Sequence, residues 1–183
     1  MRAFRRIVIV GVLVGILGAA VGVALLRSHT FSARAEPWAV EAFVARRLRR
    51  LATPPAVREL VNPVEATPLA VAEARDHFAD HCALCHANDG SGKTRINEGL
   101  YPPAPDLREA WTQGLTDGEL FAIIRDGIRF TGMPGWGGED EENWKLVLFI
   151  RHLPELAEKE LELMKDINDL ETDGEHGETH DGH

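Results

Sequence analysis

The sequence predicts an all-α protein: one apolar helix at the N-terminus, a small helical domain behind it, and an acidic helix and tail at the end. Three observations carry that prediction. Residues 7–26 form an uncharged run of 20 residues, apolar residues recur every three or four positions through 67–153 between recognisable helix caps, and no stretch longer than a few residues alternates as a strand does. With 44% hydrophobic residues and a formal net charge of -9, the chain can build one modest core but not a core from end to end.

The first element is Ile7 to Leu26, IVIVGVLVGILGAAVGVALL, long enough at about 1.5 Å per residue to span the roughly 30 Å hydrocarbon core of a bilayer. Arg2, Arg5 and Arg6 precede it, so the positive-inside rule keeps residues 1–6 in the cytoplasm and sends the remainder across. A cleaved signal peptide is the rival reading, because Ala33-Arg34-Ala35 is an A-x-A pattern. Against it, the run exceeds the roughly 7 to 15 residues of a signal h-region, and the A-x-A lies several polar residues beyond its end. A retained anchor is therefore expected. Gly11, Gly15, Gly18 and Gly22 share one face of this helix, where another membrane helix could approach closely.

Residues 27–66 read as a linker that carries a basic amphipathic helix over 38–51. Trp38, Val40, Phe43, Val44, Leu48 and Leu51 fall to one side, and Arg46, Arg47, Arg49 and Arg50 largely to the other. Such a helix suits a lipid surface, or packs on the following domain or on another subunit. Thr53-Pro54-Pro55 ends it.

The domain is expected over 67–154. Thr67-Pro68 sets a capping hydroxyl before a proline at the first helical position, and Leu69, Ala72, Phe78 and Ala79 continue a helical stripe into Cys82. There the chain reads Cys82-Ala83-Leu84-Cys85-His86, with its only two cysteines. This string is the attachment signature of c-type haem: the thiols can add to the two vinyl groups, and His86 can give its imidazole to the iron. A four-cysteine zinc site is impossible with two cysteines, and a redox CxxC opens a helix in a βαβ pattern that is absent here.

Beyond the motif, Asp89-Gly90-Ser91-Gly92 is a turn, and Tyr101-Pro102-Pro103-Ala104-Pro105-Asp106-Leu107 must be extended. Thr116-Asp117-Gly118-Glu119 forms a capping box for a helix that stops at Gly127. Glu141 to Leu153 forms the last helix of the domain, terminated by Pro154. Between these two helices, Gly132 and Pro134 hold Met133 out of helix, where its thioether can serve as second axial ligand and raise the potential relative to two histidines. His77 and His81 lie on the helix entering the motif and are expected at the surface. His152 should be a solvated cap favoured by the helix dipole.

In order, these elements resemble a class I, mono-haem cytochrome c of the bacterial membrane-anchored type, over about residues 67–154. The resemblance implies the class I fold around one covalent haem c, with thioether bonds to Cys82 and Cys85 and His86/Met133 as iron ligands. It also implies that Phe78 packs on the C-terminal helix facing Leu146, Phe149 and Ile150, with Ala74 at the crossing. The Pro105 carbonyl would accept the proton of the proximal imidazole, Leu107 would pack on the ring, and Trp136 would follow the ligand loop. Trp136, with Trp111 or Tyr101, would bond a propionate; Arg95, Arg108, Arg125 and Arg129 are propionate candidates by charge alone, the alternative being ordinary surface residues. The role implied is a one-electron carrier, not an enzyme by itself, in the bacterial inner membrane with its haem domain on the periplasmic side. Its partners would be a quinol-oxidising complex and a terminal oxidase or reductase. The alternative is a c-type haem enzyme or gas sensor in which Met133 is displaced.

Residues 155–183 complete the chain as an acidic helix and a tail expected to be disordered, whose His176, His180 and His183 could hold Cu, Zn or Ni loosely. Residues 1–35 hold five arginines and no acid, so the rest of the chain sets 15 basic residues against 29 acids. That balance argues against nucleic acid as a partner.

Overall fold

A computed structural model describes residues 2–28 and 32–175. Two compact units divide the chain at Ala35. In the first, α1 runs from Arg2 to Ser28, and its stretch Ala3–Ala24, of mean hydropathy 2.8, is long and apolar enough to cross a membrane. Every other element belongs to the second unit, and no strand occurs among the described residues.

Helix α2, Ala39–Ala52, ends where the Thr53 hydroxyl and N–H both reach the Arg49 carbonyl at 3.0 Å. Its basic side grips the domain. The Arg46 guanidinium lies 5.0 Å over the Trp111 ring, Arg50 stands 3.9 Å from Glu119, and the Tyr101 hydroxyl donates to Glu41 at 2.7 Å. Arg49 is half-buried there, and its pKa falls because burial outweighs the attraction of Glu119. Arg47 departs from the expected pattern: at 100° per residue it points with Val40, Val44 and Leu51, and its guanidinium covers Phe43 at 5.1 Å.

Residues 53–66, expected to be a linker, are folded onto the domain. A single helical turn, α3 (Pro55–Arg58), starts on proline. Its Val57 carbonyl presses against Gly118, where a β-carbon would collide with it. Asn62 then donates to the Trp144 carbonyl at 2.9 Å. No apolar period runs through this segment, so its docking was not readable from spacing.

Helix α4, Pro68–His77, begins as predicted, with the Thr67 hydroxyl accepting from the Ala70 N–H at 3.1 Å. It then widens into a π-helical turn, Phe78–Cys82, and closes as α5, Ala83–His86. Two short turns follow, a 3-10 turn at Asn97–Gly99 and α6 at Ala110–Gln113. Helix α7, Asp117–Asp126, carries both bonds of the Thr116/Glu119 capping box and ends on Gly127 at φ 69°. Helix α8 spans Asp140–His152.

The core forms where α4 crosses α8. Ala74 is buried in α4, and just beyond that helix Phe78 packs on Phe149 with ring centroids 5.1 Å apart, as the resemblance implied. Phe121 of α7 stacks on Trp144 of α8 at 4.1 Å and 10°. Arg151 ties α8 to the start of α7, donating to the Gln113 carbonyl at 2.7 Å and to Asp117 at 2.8 Å.

The acidic helix α9, Glu158–Glu175, docks through a fully buried Met164. Its Asn168 donates to the Ala79 carbonyl at 2.8 Å, inside the π turn, and accepts from Asn88 at 2.6 Å. A π turn leaves carbonyls that the ordinary i to i-4 ladder would have satisfied, and Asn168 takes one of them. His152 is not a solvated cap: it is half-buried, with Nε2 3.0 Å from both carboxylate oxygens of Glu160. Burial raises the Glu160 pKa, but the Ala157 N–H and His152 outweigh it and hold the carboxyl below its ordinary value. His176, His180 and His183 lie outside the described residues.

Candidate functional site

The π turn and α5 present Cys82, Cys85 and His86 at positions i, i+3 and i+4, which share one face of a helix. The thiols are unpaired. Burial, with Cys85 and Asp80 adding to it, pushes the Cys82 thiol up to about 12, and burial raises Cys85 as well. A thiol-disulfide centre needs the opposite, a depressed pKa that yields thiolate near neutral pH. The chemistry of the pair therefore disfavours a redox disulfide.

His86 is suited to bind a metal through Nε2. Burial lowers its pKa, which keeps the imidazole neutral, while the Pro105 carbonyl acts in the opposite sense. Its Nδ1 is buried and closes no hydrogen bond. A buried ring nitrogen facing a backbone carbonyl is what an orienting bond to a ligating histidine requires.

The loop that brings Pro105 there is built by close backbone approach. The Gly92 N–H donates to the His86 carbonyl at 2.8 Å, and Leu107 N–H donates to Gly90 at 2.8 Å. Gly92 has φ +71°, and a β-carbon on it would stand 2.8 Å from the Ala104 oxygen, so glycine serves both the backbone angle and the gap. Leu107 is buried in the core cluster against which Cys82 also packs.

Asn97 is the residue that sequence reasoning missed. It is buried, donates to the Gly92 and Ala104 carbonyls, and accepts from the Ala104 N–H. One side chain thus clamps the proline segment onto the turn after the motif. Nothing in spacing marks it, since a lone asparagine before prolines is ordinary loop composition. Asn97→Ala leaves a backbone donor and two carbonyls without their bonds and should cost about 1–3 kcal/mol, read as a lower denaturation midpoint at unchanged slope.

Met133 lies on the loop leaving α7. The Ile128 N–H donates to the Met133 carbonyl at 3.1 Å, and the Met133 N–H donates to the Thr131 hydroxyl at 3.1 Å. The loop folds back so tightly that a β-carbon on Gly127, at φ +69°, would stand 2.8 Å from the Met133 oxygen. Met133 is half-buried. At the loop tip Phe130 is 92% exposed and held at φ 62°, an angle that costs a non-glycine residue roughly 1–2 kcal/mol.

The Trp136 backbone N–H donates to the Ile124 carbonyl at 3.1 Å, and its ring meets His81 edge-on at 5.5 Å. Together with His77, Cys82, Glu139 and Glu142 these two border a pocket of about 180 Å³. His81 is exposed as expected and lies 2.8 Å from Asp80, while His77 is half-buried; both border the pocket that Cys82 also lines. No group of three or more His, Cys, Asp or Glu side chains is placed to hold a metal among the described residues.

Several propionate candidates are engaged elsewhere. Tyr101 bonds Glu41, Trp111 lies under Arg46, Arg108 pairs with Asp106 and Asp89, and Arg125 pairs with its neighbour Asp126. Two thiols and an imidazole on one helix face, with an unpaired buried Nδ1 opposite Pro105, fit a covalently held haem. Residues 69–150 match the family model described as cytochrome C oxidase, cbb3-type, subunit III. The match begins in α4 and ends in α8, so it contains Cys82, Cys85, His86, Pro105 and Met133.

Proposed function

We propose that this chain is a membrane-anchored mono-haem c-type cytochrome, a reading supported by the match of residues 69–150 to a cytochrome family model. It passes single electrons outside the cytoplasm between a quinol-oxidising complex and a terminal oxidase or reductase. The family model's own name, an oxidase subunit, supports the downstream half of that assignment. The observation that carries the reading is the half-buried His86 ring, its Nδ1 buried, on one helix face with two free cysteine thiols.

Haem c supplies one-electron chemistry between Fe(II) and Fe(III) when bound. Cys82 and Cys85 would hold it through thioether bonds, each thiol adding its S–H across a vinyl group. His86 would donate through Nε2 and keep its Nδ1 proton toward the Pro105 carbonyl, a bond that fixes the ring plane and makes the ligand more electron-rich. Met133 would give its sulfur to the opposite face. With His86 and Met133 both holding the iron, the protein's own side chains would leave no position for a substrate.

The membrane assignment rests on the apolar helix containing Ala3–Ala24, and Arg2, Arg5 and Arg6, ahead of the uncharged run 7–26, support a domain on the periplasmic side. The test is optical. The oxidised protein should show a methionine-to-iron charge-transfer band, and the reduced protein should not shift on adding CO. A prompt CO shift in the native protein overturns the carrier reading in favour of a ligand-binding haem.

A further inference from the structure

We propose that α2 lies in the interface of the same bilayer that α1 crosses, with its apolar stripe turned to lipid and its opposite face holding the cytochrome domain. The inference rests on the anchored reading of the N-terminal segment and adds to it a second, in-plane attachment.

The domain leaves that stripe uncovered. Val40, Leu48 and Leu51 are 72%, 60% and 82% exposed, and Phe43 and Val44 are exposed with them. At 100° per residue these five side chains cover about 140° of the helix, as wide as the buried stripe of an ordinary surface helix. The domain meets the helix on its other face instead, through Arg46 on Trp111, Arg50 toward Glu119, and Glu41 on Tyr101.

Chain length selects the occupant. Ten residues separate Ser28 from Ala39, and at about 3.3–3.6 Å each they reach at most roughly 35 Å. α2 is therefore held beside the membrane, where a lipid surface is always present at high local concentration. Its polar groups match that surface. Arg47 sits among the apolar residues with its guanidinium over Phe43, a long side chain able to reach lipid phosphate while its stem stays in the apolar zone. Trp38, at the start of the helix, is the residue type that favours the headgroup level.

The test uses the full chain carrying haem, in nanodiscs containing anionic phospholipid, with a nitroxide on Leu48→Cys or Leu51→Cys and a control label on Glu162→Cys, exposed on α9. Collisions with oxygen and with a nickel chelate give the depth of each label. Labels at 48 and 51 should lie about 5–10 Å into the headgroup and acyl boundary, with the control in water. Labels at 48 and 51 as water-exposed as the control overturn the inference, and so does spin–spin coupling between copies, which would assign the stripe to a second chain. Shielding of both labels from oxygen and nickel together also overturns it, in favour of a protein partner. Extraction of the chain by alkaline carbonate overturns the anchor and the inference with it, whereas retention with water-exposed labels overturns the inference alone.

Discussion

Met133→Ala should convert the haem from six-coordinate to a high-spin or water-ligated form, remove the charge-transfer band, and make the reduced protein bind CO at once. The midpoint potential should fall by one to a few tenths of a volt, a fraction of the roughly 0.8 V over which axial ligands set haem potentials. The direction follows from the ligand: a neutral thioether favours Fe(II), and the water that replaces it does not. The loop itself should survive, because its shape is set by backbone bonds at Ile128 and Thr131 and by the contact at Gly127, none of which uses the methionine sulfur. An unchanged spectrum and potential would remove Met133 from the ligand set.

Cys82→Ser with Cys85→Ser should abolish covalent haem. The measurement is haem staining after denaturing electrophoresis together with the intact mass, which should return to that of the bare polypeptide. The single Cys82→Ser variant should retain a fraction of attached haem through Cys85 and mature poorly. Full covalent loading of the double variant would overturn the attachment chemistry.

The helices were legible because their signals are local. Thr67-Pro68, the Thr116/Glu119 box and Gly127 each act within one turn, and each stands where the spacing put it. The Phe78 and Phe149 contact was legible through the family resemblance, since nothing within either helix names the other. What escaped the sequence involves tertiary partners of polar or backbone groups. Asn97 bonds three backbone atoms of an irregular loop, Asn168 answers a carbonyl freed by a π turn, and the docking of residues 53–62 depends on Gly118 having no side chain. His152 was misjudged for the same reason, because its partner Glu160 comes from a helix whose docking no periodicity could orient. Arg47 departs from the other three arginines because helical spacing sets it about 20° from Val40, inside the apolar stripe.

The enclosure of Cys82 bears on the order of events during maturation. In the folded chain burial pushes its thiol up to about 12, so at neutral pH the reactive thiolate is scarcer than in an ordinary cysteine. Packing of the core against this position therefore works against the sulfur's reactivity. On the proposed chemistry, attachment should be easier on the open polypeptide than on the closed one, and slower closure of the helical domain should raise the yield of holoprotein.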